Sequence, residues 1–421
     1  MKNIRLFLIL VVSIFCICVC PDDAIPKEPE EPTPLTKEDV YNQLELFADA
    51  ITIINANYVD EVGPKNLIYS ALKGMLRSLD LHSDFLTPEK FEEIKIDTGG
   101  EFGGLGIEIT IRDNLLTIVT PLEDTPAYKA GLMPDDKIIK INDESTKDFS
   151  LDDAVKRMRG NPGTEVILTI MREGEERLRD YTIKRALIKI AAVKDVLILE
   201  DGIGYIRITD FQQRTPKDLE KALRKLEKEK FSALILDLRN NPGGLLDASV
   251  GVSEKFLPKD TVIVSIKGRI KAQEKIFKSK NKRPRLNFPM VILANKGSAS
   301  ASEIVAAAIR DNKRGIILGT PTFGKGSVQT VIPLRDGSAL RLTTSKYYTP
   351  AGEQIHKSGV APDVLIKRVT PVIEKEKPED IFKKLEHEEI SRADELKKDN
   401  QIKSAIELLK GINVYRTFGK K

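Results

Sequence analysis

From Lys37 to Glu93 the apolar residues recur every three or four positions: Val40, Leu44, Leu46, Phe47, Ala50, Ile51 and Ile54, then Leu67, Leu72, Met75 and Leu76. A 3.6-residue period places such a set on one helical face, so the spacing predicts a small helical module. Its helices break at Gly63-Pro64 and Thr87-Pro88. Beyond Ile96 the period changes. LLTIVTP, KIIKIND and EVILTIMRE alternate, which predicts strands, with one helical stretch from Leu151 to Arg159. A third regime opens near Leu187, where GIGYIRI, SALILDLRN, VILAN and RGIILG read as strands. PKDLEKALRKLEKEK and the stretch from Ser300 to Arg310 read as helices between them. SALILDLRN is almost continuously apolar, so that strand is expected to be covered on both faces, as in an open α/β arrangement of β-α-β units. The last segment, 371–421, is charged with helical apolar spacing: Ile381, Leu385, Ile390, Ala393, Leu396, then Ile402, Ile406, Leu408 and Leu409. Three placements stay open for it: on the amino-terminal helices, between two subunits, or solvated.

The amino terminus adds an address. Lys2 and Arg5 precede a run of about fifteen apolar residues from Leu6 to Cys20, which fits a secretory signal and is short for a spanning helix. Residues 1–20 are therefore expected to be a signal peptide or short membrane anchor, and the proline- and glutamate-rich residues 21–35 a flexible linker. Export to the periplasm or cell envelope follows, with membrane attachment through the amino terminus left open. All three cysteines, Cys16, Cys18 and Cys20, lie in the apolar run and read as filler, not as a metal site. Sixty-seven basic against sixty-three acidic residues give a net charge of +4. That is no electrostatic footprint for nucleic acid. The basic run from Lys267 to Arg285 reads as a solvated face.

Candidate chemistry gathers in three glycine-rich loops. GTPTFGKGSVQT, Gly319 to Thr330, comes close to a phosphate-binding loop, but Gly326 stands where a magnesium-ligating hydroxyl is required and a strand pattern follows in place of a helix. Nucleotide hydrolysis is thereby disfavoured and Lys325 needs another role. Asn240-Asn241-Pro242-Gly243-Gly244 follows one strand, and NKGSASASE follows another and turns into a helix. Ser300 and Glu303 fit the capping box S-x-x-E, which puts Ser300 at the helix start, where unpaired amides and the positive end of the dipole lie. No histidine offers itself as its base: His82, His356 and His387 lie outside the glycine-rich loops, and His387-Glu388 lacks the second histidine of a zinc motif. A serine nucleophile here requires a lysine whose amine is neutral, and small neighbours permit Lys325 the burial that lowers a lysine pKa. No metal or cofactor is implied.

Gly104-Leu105-Gly106-Ile107, TPAYKAGLMPDDKIIKIND and MRGNPGT together resemble a PDZ domain over 96–186. DLRNNPGG, NKGSASASEIVAAAIRDN, GTPTFGKGSVQT and YYTPAGEQIHKSGVAPDV, with that segment upstream, resemble the carboxyl-terminal processing peptidases, also called tail-specific proteases. The resemblance implies a peptidase core of ClpP- and crotonase-like β-α units over 187–370, with an inserted PDZ domain, an amino-terminal helical module over 36–95 and a helical carboxyl-terminal segment. It implies Ser300 as nucleophile, Lys325 as base and Gln329 as its support; alternation would put Lys325 and Gln329 on one strand face. Ala301 is one expected oxyanion donor, and Gly243 or Gly244, by the resemblance, the other. Gly104, Leu105, Gly106, Ile107 and Ile109 would hold a substrate's free carboxyl end, by an amide nest and strand addition. Arg159 matches the family's gating arginine, with a plain surface ion pair as the alternative. Expected partners are protein or peptide substrates; a homodimer or higher oligomer and an adaptor protein stay open. A second reading is a non-catalytic PDZ adaptor on a peptidase-like scaffold.

Overall fold

The computed structural model describes residues 37–356, 358–369 and 392–418. The expected signal and linker, and residues 371–391 of the charged segment, lie outside the described residues. The chain divides into two compact units, one ending at Ser70 and one beginning at Ala71. The first holds α1 (Lys37–Asn57) and the opening of α2 (Pro64–Arg77), which starts on the proline predicted to break the pattern. Val40, Leu44 and Phe47 of α1 are exposed.

In the second unit, α2 is followed by β1 (Asp84–Leu86) and α3 (Pro88–Gly99). Next come β2 (Glu101–Gly104), β3 (Ile107–Arg112), β4 (Leu115–Pro121), α4 (Pro126–Lys129), β5 (Lys137–Ile141), β6 (Glu144–Ser145), α5 (Leu151–Met158), β7 (Glu165–Met171) and β8 (Arg179–Lys184). Strands β3-β4-β5-β7-β8 form an antiparallel sheet in that order, with β6 added to β5. Their alternate residues, Leu116, Ile118, Ile138, Leu168 and Ile170 among them, make a core separate from that of the rest of the chain. Strand β2 does not join this sheet. It pairs with β9 (Ala186–Lys189) to form a two-stranded link at the root of the small domain.

The remaining elements are β10 (Val193–Ile198), β11 (Ile203–Ile208), α6 (Thr215–Lys228), β12 (Ala233–Asp237), α7 (Leu246–Ser253), β13 (Val262–Gly268), β14 (Lys275–Lys278), β15 (Met290–Ala294), α8 (Ala301–Asp311), β16 (Ile316–Gly319), β17 (Ser327–Pro333), β18 (Ala339–Tyr348) and β19 (Val364–Leu365). A six-stranded sheet runs β10-β11-β12-β15-β16-β19, parallel from β11 onward. Strands β12 and β15 are buried at every position, as a continuous apolar run requires. Helices α6, α7 and α8 cover one face, and α8 is buried over nine successive residues, Ala301 to Ile309. A second, antiparallel sheet has the order β1-β18-β13-β14, with β17 also on β18. Strand β1 is unforeseen by the pattern, being three residues long and paired with Ala339–Arg341 far along the chain.

The carboxyl-terminal segment settles the placement left open above. Helices α9 (Arg392–Lys397) and α10 (Asn400–Phe418) cover the other face of the six-stranded sheet. Leu396, Ile402, Ala405, Ile406 and Leu409 pack against Tyr205, Ile235, Val291, Leu293 and Leu318. Each buried leucine or isoleucine is worth about 1.5–3 kcal/mol, which outweighs solvation of a free amphipathic helix.

Candidate active site

Three loops leave the carboxyl ends of parallel strands β12, β15 and β16, where an open α/β sheet forms its crevice. Two are zipped together. The Asn240 amide donates to Asn295 Oδ1 at 2.9 Å and Asn295 Nδ2 to Asn240 Oδ1 at 2.9 Å, while the Ala299 amide reaches the Asn241 carbonyl at 3.0 Å. The three serines of GSASAS then separate by role. Ser298 Oγ donates to the Leu238 carbonyl at 2.8 Å and Ser302 Oγ to the Asn241 carbonyl at 2.9 Å, so both hydroxyls hold the loops in place. Ser300, at the amino cap of α8, instead faces the buried Tyr347 phenol, whose pKa burial pushes up to about 12 against an opposing hydrogen bond with Ser300. Its backbone has φ 52° and ψ −110°. A non-glycine residue held there stores about 1–3 kcal/mol of strain. Gly243 lies so near that a Cβ on it would fall 2.8 Å from the Ala299 carbonyl and 2.9 Å from Ser300 Cβ.

Glu303 carries more than a cap. Fully buried, its carboxylate accepts from the Ser300 amide at 2.8 Å and the Lys325 amide at 2.9 Å on one oxygen. The other oxygen accepts from Thr322 Oγ1 at 2.5 Å and the Gly324 amide at 2.7 Å. One side chain thus fixes the main chain of both sequence-predicted residues. The capping box suggested only the first of these bonds, because Thr322 to Lys325 come from a different strand end.

Burial first, and the Arg341 charge second, hold the Lys325 amine below the ordinary lysine pKa, with Glu303 pulling the other way. No hydrogen bond joins Ser300 Oγ to Lys325 Nζ in this structure. Gly326, the residue that spoiled the phosphate-loop pattern, admits the loop before Val360: a Cβ there would sit 2.3 Å from the His356 backbone nitrogen.

Three expectations change in detail. Lys325 and Gln329 do not alternate along one strand, because β17 begins only at Ser327 and a bulge falls between Val328 and Gln329. Gln329 Nε2 donates to Ser327 Oγ at 2.8 Å and Thr343 Oγ1 at 3.4 Å, not to Lys325. Among the oxyanion candidates, the Gly243 amide is occupied by Asn241 Oδ1 at 2.9 Å, whereas those of Gly244 and Ala301 donate to no described acceptor. Histidines are also closer than the sequence suggested. The pairing of β1 with β18 carries His82 to the site, where burial and then the Lys325 charge lower its pKa, with further lowering from His356 and Arg341. Neither histidine bonds to Ser300, and no local signal in the sequence places them here. Among the described residues no cluster of three His, Cys, Asp or Glu side chains could hold a metal.

The small domain carries a groove of about 90 Å³ between β3 and α5, lined by Gly104, Leu105, Gly106, Ile107, Ile109, Val155 and Met158, with Phe102 and Arg159 at its side. Strand β3 is the sheet edge, and the amides of Leu105 and Gly106 donate to no described acceptor. Arg159 stacks over the Phe102 ring at 4.7 Å and makes no ion pair among the described residues, contrary to the surface-pair alternative. The root of the Asn240–Gly244 loop is tied down on its other side. Arg239 is gripped by Asp237 Oδ2 at 2.6 Å, and through Nη1 by Asp399 Oδ2 and Gln401 Oε1 of the carboxyl-terminal segment, both at 2.8 Å.

Known proteins resemble the chain along most of its length. A profile of Peptidase family S41 matches residues 202–366, and a PDZ domain profile matches 117–172. The carboxy-terminal-processing protease of Bartonella bacilliformis is 43% identical over 80% of this chain and 77% of its own. The carboxyl-terminal-processing protease of Synechocystis is 39% identical over 71% of each. Among solved structures, the photosystem II D1 C-terminal processing protease is 30% identical, with a TM-score of 0.45, covering 79% of this chain and 94% of that one.

Proposed function

This chain belongs to the carboxy-terminal processing proteases of peptidase family S41, and from that premise we propose that it is an exported endopeptidase that recognises the carboxyl-terminal end of protein substrates and cleaves them with Ser300 as nucleophile and Lys325 as general base. It is a serine-type peptidase with a PDZ domain. The observation that carries the dyad is the shared Glu303 oxygen, 2.8 Å from the Ser300 amide and 2.9 Å from the Lys325 amide. It ties the main chain of both residues to one side chain and leaves the Ser300 hydroxyl and the Lys325 amine out of those bonds.

In this reading the Ser300 hydroxyl leaves Tyr347 and passes its proton to the neutral Lys325 amine. Its oxygen attacks the substrate carbonyl. The oxyanion is met by the unoccupied amides of Ala301 and Gly244, at the positive end of α8, and these donors need no reorganisation when charge develops. The protonated amine then returns its proton to the leaving amide nitrogen. Water, deprotonated by Lys325, hydrolyses the acyl-enzyme. Gln329 acts at one remove, through Ser327. The PDZ groove supplies specificity: the free amides of Leu105 and Gly106 take the terminal carboxylate and β3 takes the chain as an added strand. Export rests on the apolar segment at residues 6–20 behind Lys2 and Arg5.

Incubating the full chain with an unstructured protein ending in an apolar carboxyl-terminal residue tests this. Wild type should cleave it, and Ser300→Ala and Lys325→Ala should bind it without cleavage. Binding without cleavage by wild type would favour the adaptor reading and end the catalytic one.

A further inference from the structure

At the far end of α8 from Ser300, about 16 Å along the helix, lies a cavity the proteolytic reading leaves unused. Its volume is about 500 Å³, within the range of small-molecule sites. One wall is apolar, made by Leu257, Pro258, Leu286, Phe288 and Pro289; the other carries Lys313, Arg314 and Arg416. Among the described residues no aspartate or glutamate lines it.

Arg314 brings an uncompensated cation to this lining. Its guanidinium stacks on Phe288 at 5.0 Å and donates once, from Nη2 to the Arg285 carbonyl at 2.8 Å. Its Nε is buried with no partner. No ion pair neutralises it among the described residues, and the like charge of Arg416 acts against it. Three other half-buried or buried arginines are treated differently, whereas Arg207 shares the buried, unpartnered Nε. The neighbouring Arg285 has Glu220 and Glu227, Arg239 has Asp237 and Asp399, and Arg185 spends its donors on three backbone carbonyls. An uncompensated guanidinium in a partly dry site is costly, and burial together with Arg416 draws its pKa down to about 10. A bound oxyanion would supply acceptors to guanidinium N–H groups that have none among the described residues, in the forked geometry arginine offers.

We propose that this cavity is a binding site for an amphipathic oxyanion, a phosphate or carboxylate head held between Arg314 and Arg416 with an apolar body against Leu257, Leu286 and Phe288. The head could belong to a soluble metabolite or to an anionic lipid. The site is independent of the Ser300 chemistry, so its test stands whether or not the peptidase reading does.

Thermal unfolding and calorimetry of the full chain with hexyl phosphate, against inorganic phosphate and sodium chloride of matched ionic strength, decide it. Hexyl phosphate at saturation should raise Tm by about 2–4 °C and exceed inorganic phosphate. Arg416→Ala, at an exposed position, should weaken hexyl phosphate binding by about tenfold or more and leave the ligand-free Tm equal or higher. Arg314→Met should do the same more strongly. A salt-like shift, equal effects of the two phosphates, or unchanged binding in Arg416→Ala would overturn the proposal. Cosedimentation with phosphatidylglycerol vesicles that Arg416→Ala abolishes would assign the head to a lipid; hexyl phosphate binding without cosedimentation would assign it to a soluble ligand.

Discussion

The Glu303 carboxylate accepts the Lys325 amide at 2.9 Å across twenty-two residues of chain, so the main chain of the proposed base rides on the first turn of the helix that Ser300 caps. Four donors converge on two oxygens: Ser300, Lys325, Thr322 and Gly324. In Glu303→Gln an amide NH2 replaces one oxygen and faces two of those donors. Each unsatisfied donor costs about 1–3 kcal/mol, and misplacing the dyad should lower kcat about 100-fold. Thermal denaturation and steady-state kinetics would read both; a folded variant with wild-type kcat would remove Glu303 from the positioning of the site.

The depressed pKa of Lys325 fixes the direction of two pH effects. With the neutral amine as the proposed base, kcat/KM should rise with pH through a folded-state pKa below 10.5, the ordinary lysine value. Between that pKa and 10.5 the unfolded chain binds more protons than the folded one, so stability gained from this residue also rises with pH. Lys325→Met lacks the slope: its stability advantage is full below the folded pKa and vanishes near 10.5. Arg341 contributes to the lowering, so Arg341→Gln should move the kcat/KM profile to higher pH. A profile unmoved by Arg341→Gln, with kcat/KM flat across the alkaline range, would contradict a neutral lysine base.

Strain at Ser300 predicts a contrast between two inactive variants. Alanine keeps the penalty of φ 52°, while glycine does not. Strain relief of about 1–3 kcal/mol exceeds the roughly 0.4–1 kcal/mol lost to the freer unfolded chain, so Ser300→Gly should be the more stable by about 1 kcal/mol. Equal Tm values for the two would show that the turn is relaxed in solution.

What the sequence disclosed were features carried by local pattern. The capping box placed Ser300 at the start of α8, and continuous apolar runs identified β12 and β15 as buried strands. The grouping of Ser300, Lys325 and Gln329 came from the resemblance, not from periodicity. Contacts made by residues far apart in the chain were not legible. His82 reaches the Lys325 side only because three residues of β1 pair with a strand some 255 positions later, and no period betrays so short a strand. Gln329 was misplaced because a bulge interrupts the alternation the argument assumed. The amphipathic face of α10 was visible, but a helical stripe does not say which surface it covers.

That covered surface leads to the last prediction. Asp399 and Gln401 stand 160 and 162 residues from Arg239, and both bind its Nη1, while Asp237 holds the rest of the guanidinium. Arg239 immediately precedes the Asn240–Gly244 loop, which abuts Ser300, so the carboxyl-terminal helix helps to hold the loop that carries the proposed oxyanion donor Gly244. Gln401→Leu keeps the volume, leaves the cap that Asp399 gives α10, and removes one acceptor from a buried cation. It should lower kcat by about 10- to 100-fold with little change in peptide affinity at the PDZ groove. Gln401→Glu, which restores an acceptor, should recover part of the loss. A purely structural helix would give a lower Tm with kcat intact, and that outcome would confine α10 to covering the sheet.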